Sequence, residues 1–174
     1  MNRNQLAGEI AQAAFLRGEF ELRSGQTSSV YLDKYKFLAR PNLLEALVEE
    51  AAKLVPAETE VVAGIELGGV VLATALSLHL GTPAAFVRTE RKGYGTANIV
   101  EGAEIASRRV CLIEDIVTTG GQVAKSARVL REEGAIVEDV ICAVDRSEGE
   151  HPKLDAEGLV LRAMFELAEL PEPE

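Results

Sequence analysis

Two adjacent carboxylates, Glu114 and Asp115, close the apolar run Val110-Cys111-Leu112-Ile113 and are followed by Ile116-Val117-Thr118-Thr119-Gly120-Gly121. This order puts acids at the carboxyl end of a buried strand and a hydroxyl- and glycine-rich turn directly after them. Ionised carboxylates accept hydrogen bonds from sugar hydroxyls, and they reach Mg²⁺ directly or through its water. The two glycines permit backbone angles that other residues resist. Successive N–H groups can then converge on phosphate oxygens in front of the helix expected from Gln122 onward. Binding of a sugar phosphate is the chemistry that fits both halves. While a strand persists, neighbouring residues point to opposite faces; a backbone turn at the strand end would let both acids flank one ligand.

A second group is basic. Arg88, Arg91 and Lys92 adjoin a segment dotted with Gly93, Gly95 and Gly102, on a chain whose formal net charge is −10. A basic island on so acidic a chain suits a local anion site, whereas the overall charge opposes nucleic-acid binding. The glycines suit a lid that opens and closes. A Walker A loop would need a Gly-Lys-Ser/Thr ending, but the first lysine after the glycine pair is Lys125. A dinucleotide fingerprint is also missing, so nucleotide hydrolysis and hydride transfer both lose weight. Cys111 and Cys142 each sit inside an apolar run and read as buried thiols rather than metal ligands or a disulfide framework. His79 reads as packed or half-exposed in a helix, and His151 as solvated in a polar turn. No zinc cluster and no Ser-His-Asp order can be recovered.

These residues need a scaffold. A chain of 174 residues reads as one domain and should bury roughly 70% of its unfolded surface. No apolar run approaches the roughly 18 residues that span a bilayer. The first residues, Met1-Asn2-Arg3-Asn4, lack the apolar core of a secretory signal, which predicts a cytoplasmic protein without membrane partners. Apolar spacing predicts a helix over 6–15 ended by Gly18, a strand through Phe20 and Leu22, and a strand over 30–32 closed by Asp33. A helix over 41–55 follows, with Pro41 in its first turn. Then come a strand over 61–65, a helix from Gly68-Gly69 to a Gly81 cap, a strand over 84–87 and a long loop over 90–102. A strand over 110–113, a helix over 122–133 capped by Gly134, and a strand over 137–144 complete the alternation. Residues 159–167 fit a last strand or a short helix. Strands alternating with helices predict an α/β fold, a mostly parallel sheet flanked by helices, whose ligands bind beyond the carboxyl ends of the strands.

The strand, acid pair and Thr-Thr-Gly-Gly block resembles the 5-phosphoribosyl-1-diphosphate motif of type I phosphoribosyltransferases. Further segments resemble the orotate phosphoribosyltransferase branch. Phe20-Glu21-Leu22-Arg23-Ser24-Gly25 with Ser28-Ser29-Val30-Tyr31-Leu32-Asp33 is similar to its amino-terminal signature. Ala63-Gly64-Ile65-Glu66-Leu67-Gly68-Gly69 resembles its diphosphate-contacting turn. Residues 87–96, followed by Glu101-Gly102, resemble its mobile catalytic loop, and Val144-Asp145-Arg146 its pyrimidine-contacting segment. The resemblance spans roughly residues 10–150 in the family's order.

It implies a type I phosphoribosyltransferase fold with a small N-terminal hood, formed by about residues 1–40 with the C-terminal segment, and a long flexible loop. It implies transfer of phosphoribosyl from 5-phosphoribosyl-1-diphosphate to orotate, with Mg²⁺, in a homodimer whose subunits share loop residues. Glu114 and Asp115 would hold the ribose hydroxyls, Val117 to Gly121 would wrap the 5′-phosphate, and Ile116 would also bind the sugar diphosphate. Leu67, Gly68, Arg88, Lys92 and Tyr94 would contact the sugar diphosphate. Lys92, Arg88, Arg91 and Asp115 would carry catalysis. Arg23, Tyr31, Leu32, Thr118 and Arg146 would contact orotate. Mg²⁺ would be held mainly by the diphosphate and ribose, with Asp115 reaching it through water. The chain departs from many members in having Thr89 after Arg88 in place of lysine, and Tyr94 where some carry histidine. Rival readings are a phosphoribosyltransferase for another base, and a non-catalytic ligand-binding or regulatory paralogue.

Overall fold

A computed structural model describes residues 1–21, 25, 27–89 and 98–171. Six strands form the main sheet in the order β5-β4-β3-β6-β7-β8. They are β3 (Val61–Ile65), β4 (Ala84–Val87), β5 (Val100–Gly102), β6 (Arg109–Val117), β7 (Ile136–Asp145) and β8 (Val160–Glu166). Every pairing is parallel except β4 with β5. The central strands are short apolar runs because helices cover both of their faces.

Side chains alternate between two cores. Val62, Cys111, Ile113 and Ile141 face helices α1 (Arg3–Ala14), α3 (Pro41–Ala52) and α4 (Glu66–Leu80), meeting Ile10, Leu47 and Leu72. Ala63, Leu112, Val140 and Cys142 face α5 (Gly121–Glu132) and α6 (Pro152–Asp155), meeting Val123, Leu130 and Leu154. Both cysteines are free and buried. Burial pushes the Cys111 thiol up to about 12.

The expected and observed elements differ where local chemistry intervenes. Helix α1 starts at Arg3 because Asn2 and Gln5 form a reciprocal capping box. It stops at Ala14, and Gly18 lies inside strand β1 (Phe15–Glu21) instead of ending the helix. There the pairing with β2 (Thr27–Leu32) shifts register between Arg17 and Phe20, the mark of a bulge. Helix α2 (Lys34–Leu38) has no counterpart in the sequence reading. Asp33, expected to close a strand, also caps this helix by accepting a hydrogen bond from the Tyr35 N–H at 3.0 Å. Helix α3 ends at Ala52, short of residue 55. Strand β5 occupies the end of the segment expected as loop. Strand β8 settles 159–167 as a strand paired with β7.

Candidate active site

Strand β6 carries both acids and continues to Val117, so no turn separates them from the sheet. Both nevertheless line one cleft of about 470 Å³ at the strand's carboxyl end, together with the turn Thr118-Thr119-Gly120-Gly121. Each acid curls onto the following backbone group. Glu114 Oε1 accepts the Asp115 N–H at 2.9 Å, and Asp115 Oδ1 accepts the Ile116 N–H at 2.6 Å.

Asp115 is 1% exposed. Its charge is matched by Lys34, whose Nζ donates to Oδ1 at 2.9 Å and lies 2.8 Å from Oδ2. The second contact is an ion pair off the direction of a hydrogen bond, and Oδ2 accepts none. Burial pulls the Lys34 ammonium down, but the hydrogen bond and charge of Asp115, aided by Glu114, leave its pKa raised.

Glu114 behaves differently. Burial, and then the charge of Asp115, push its carboxyl up to about 9 from 4.5. Across that window the folded chain holds a proton that the unfolded chain releases. Stability is therefore greatest below the lower value and falls as pH rises towards the upper. Glu114→Gln keeps the shape of the neutral acid and removes the titration. It should flatten the pH dependence of the thermal midpoint, with a gain over the wild type that grows towards the alkaline end. Thermal unfolding across this pH range would show it; a slope equal to that of the wild type would refute the assignment.

The turn after β6 leads into a helix whose start has no side-chain cap. Gly120 there is left-handed, with φ 68°, and α5 follows it directly. Its first-turn N–H groups thus lack a side-chain acceptor at the positive end of a helix dipole. A methyl on Gly120 would meet Leu154 Cδ2 at 2.8 Å, so α6 forms the floor of this turn. Lys153 Nζ lies 3.3 Å from where a Gly121 Cβ would sit.

The opposite wall is the turn from β3 into α4. It packs so closely that side chains have no room. A Cβ on Gly64 would lie 2.5 Å from Gly69 O, and one on Gly69 would lie 2.5 Å from Ile113 O. A Cβ on Gly68 would lie 1.5 Å from Asp115 Oδ2. Leu67 points outward and is 63% exposed. Glu66 adopts φ 52°, a conformation unfavourable outside glycine. Its Oε1 accepts the Thr89 N–H at 2.5 Å, while Lys125 Nζ donates to Thr89 O at 3.4 Å. Thr89 is therefore clamped at the cleft edge.

The sequence-predicted residues divide into three groups. Glu114, Asp115 and Ile116 to Gly121 come together in the cleft, with Gly68 pressed against Asp115. Arg88 lines an adjoining cavity of about 520 Å³ with Leu67; Glu66 and Thr89 border both spaces. Arg146 lines a third cavity of about 480 Å³ with Phe15, Arg17 and Val30, and its N–H bonds Val117 O at 2.8 Å. Tyr31 is exposed and lies against Phe20, with ring centroids 5.5 Å apart. Leu32 is buried in the core beside the helices. Arg23, Arg91, Lys92 and Tyr94 lie outside the described residues.

Sequence reasoning missed Lys34, Lys153 and Leu154, and named Glu66 only within the turn motif. Lys34 had a readable signal, a cation directly after the strand-closing acid. The others depend on tertiary placement. The structure also brings His151 Nε2 within 3.1 Å of Asp145 Oδ2 and Ser147 Oγ within 3.1 Å of His151 Nδ1, so His151 is not simply solvated. Ser147 Oγ is also 3.4 Å from Nε2, so it sits beside the ring rather than in line with one nitrogen. This arrangement is not a proton relay.

Residues 36–160 match the family described as Phosphoribosyl transferase domain. An orotate phosphoribosyltransferase of Nocardioides sp. is 48% identical over 166 residues, covering 95% of this chain and 92% of the relative. The chain belongs to the orotate phosphoribosyltransferase family. A solved orotate phosphoribosyltransferase from Aeropyrum pernix superposes with TM-score 0.82 at 35% identity, covering 95% of each chain. The Mycobacterium tuberculosis orotate phosphoribosyltransferase in complex with 5-phospho-alpha-D-ribosyl 1-diphosphate superposes with TM-score 0.82 at 27% identity, covering 97% of this chain and 98% of that one. The mostly parallel sheet expected from the sequence is thus the type I phosphoribosyltransferase fold, shared with other members of the orotate phosphoribosyltransferase family.

Proposed function

We propose that the protein transfers the 5-phosphoribosyl group from 5-phosphoribosyl-1-diphosphate to orotate, giving orotidine 5′-monophosphate and diphosphate in de novo pyrimidine biosynthesis. One observation carries this reading: a buried acid pair and an uncapped helix start share a single cleft, with Gly68 packed against Asp115. The uncapped start of α5, with Thr118 and Thr119, binds the 5′-phosphate. That phosphate is remote from the reacting bond, so its binding energy orients the sugar. Glu114 and Asp115 receive the ribose hydroxyls. The turn at Leu67 and Gly68 offers backbone groups to the diphosphate.

Charge develops on diphosphate as it leaves. Arg88, Arg91 and Lys92 supply cations there, with Tyr94 donating to phosphate and Lys92 stabilising the transition state. Arg23 and Arg146 recognise the carboxylate and carbonyl groups of orotate, with Tyr31, Leu32 and Thr118 around the ring under the amino-terminal hood. Mg²⁺ bound with the diphosphate would offset its negative charge. Among the described residues no three His, Cys, Asp or Glu side chains gather as a metal site, and Lys34 already covers Asp115. These residues fit an ion held by substrate, with Asp115 acting through water.

A homodimer sharing loop residues agrees with α4, whose outer side exposes Leu67 and Leu78, 63% and 83% accessible. No helix among the described residues is long and apolar enough to cross a membrane.

The test is orotate absorbance with the sugar diphosphate and Mg²⁺, with uracil and hypoxanthine in parallel. Consumption of orotate alone is expected, and Lys92→Gln should lower kcat by about 100-fold or more. Turnover of another base, or of none, would overturn the assignment.

A further inference from the structure

The turn from β3 into α4 puts its glycines where space is short and a glutamate where the backbone is left-handed. No Cβ fits at Gly64, Gly68 or Gly69. Glu66 alone in this turn has a positive φ, 52°, and it carries a full side chain. A residue other than glycine is disfavoured there, and such outliers persist where the surroundings over-determine them, often at functional sites. Charge also argues against it. Glu66 borders both the cleft and the cavity where diphosphate is expected, and like charges repel. Its side chain therefore needs a use that outweighs two costs.

That use lies at the end of the sheet. Strands β3 and β4 pair in parallel as far as Ile65 and Val87. The left-handed step at Glu66 then turns the chain into α4, so the main chain leaves the ladder. The side chain continues it by one bond: Oε1 accepts the Thr89 N–H at 2.5 Å. From the other wall, Lys125 Nζ on α5 donates to Thr89 O at 3.4 Å. The Arg88 N–H donates to Ile99 O at 2.9 Å. Arg88 thus lies between a paired strand end and a residue held at both of its backbone groups.

We propose that Glu66 is a positioning residue, whose side chain ties Thr89 to the diphosphate turn and so fixes Arg88 for the diphosphate. The inference rests on the proposed reading in taking Arg88 as a diphosphate cation. The carboxyl oxygen acts as an acceptor, and its charge is incidental.

The experiment is calorimetric titration of the whole chain with inorganic diphosphate and Mg²⁺, and in parallel with ribose 5-phosphate. Glu66→Gly removes the acceptor and relieves the backbone, so its thermal midpoint should stay near that of the wild type. It should bind diphosphate about tenfold or more weakly, the scale of a hydrogen bond to a charged group. Ribose 5-phosphate, which engages the start of α5, should bind it as it binds the wild type. Glu66→Gln keeps an acceptor oxygen and should restore most of the diphosphate affinity. Wild-type diphosphate affinity in Glu66→Gly would overturn the proposal. So would equal losses for the two ligands, which mark general loosening, or a wild type that binds no diphosphate. Should the glycine variant fail to fold, a glutamine variant about tenfold weaker than the wild type would also refute it. No base is present in the titration, so a failed orotate assay would leave the result standing. Normal orotate turnover beside unchanged diphosphate binding in Glu66→Gly would remove this inference alone.

Discussion

Gly68→Ala should reduce kcat/KM by at least 100-fold, roughly the effect of displacing a reacting group by an ångström. The new methyl would fall 1.5 Å from Asp115 Oδ2, inside the carboxylate itself. Nothing nearby gives way easily. Gly69 is already against the Ile113 carbonyl, and Gly64 against the Gly69 carbonyl. Either the acid swings out or the turn lifts from β6. The first breaks the Lys34 contact, and the second moves the backbone expected to face diphosphate. Overpacking of this kind also costs about 1–3 kcal/mol of stability. Steady-state kinetics beside thermal unfolding would test it. An alanine variant with near-normal kcat/KM would mean that the turn and Asp115 move apart freely, contrary to the packing described.

Asp115→Asn is the second large effect, with an expected loss of about 100-fold in kcat/KM. The shape is kept, so the loss isolates charge. An amide oxygen is a weaker acceptor for ribose hydroxyls than a carboxylate. Its NH₂ would either face the Lys34 ammonium or be pressed against Gly68. Lys34 would lose its matching charge in a site where its side chain is only 33% exposed, at a cost of about 1–3 kcal/mol. Kinetics with sugar diphosphate varied, together with the thermal midpoint, would read both effects. If the variant lost stability but kept kcat/KM, Asp115 would be a structural anchor and Glu114 would be left to hold the ribose.

Some of this was legible from residues alone. Short apolar runs gave β3 and β4 at the observed bounds, because a strand buried on both faces has no other pattern available. The left-handed cap at Gly81 was readable for the same local reason. That the acid pair and the glycine turn meet at one strand end was legible because strand, acids and glycines are contiguous. Failures came where one residue serves two elements or where a partner is distant in sequence. Asp33 ends β2 and caps α2, so reading it only as a stop hid the helix that presents Lys34. Gly18 serves a bulge whose register depends on β2, which a helix-stop rule does not register. Lys34 and Asp115 are 81 positions apart, and no periodicity joins them. Glu66 has an ordinary identity in an extraordinary backbone conformation, visible only in three dimensions.

The residue beneath Gly120 bears on portability. The segment from β3 through α5 carries both acids, the close-packed glycines and the turn into α5, and it looks like a cassette that could be moved between hosts. Its floor, however, is Leu154, fully buried and supplied after β7. Its charge partner, Lys34, comes from before β3. A transplanted segment would carry the binding groups without the parts that hold them in place. Circular permutation or fragment exchange in this fold should therefore be planned around residues 34 and 154, not around the boundaries of the recognisable motif.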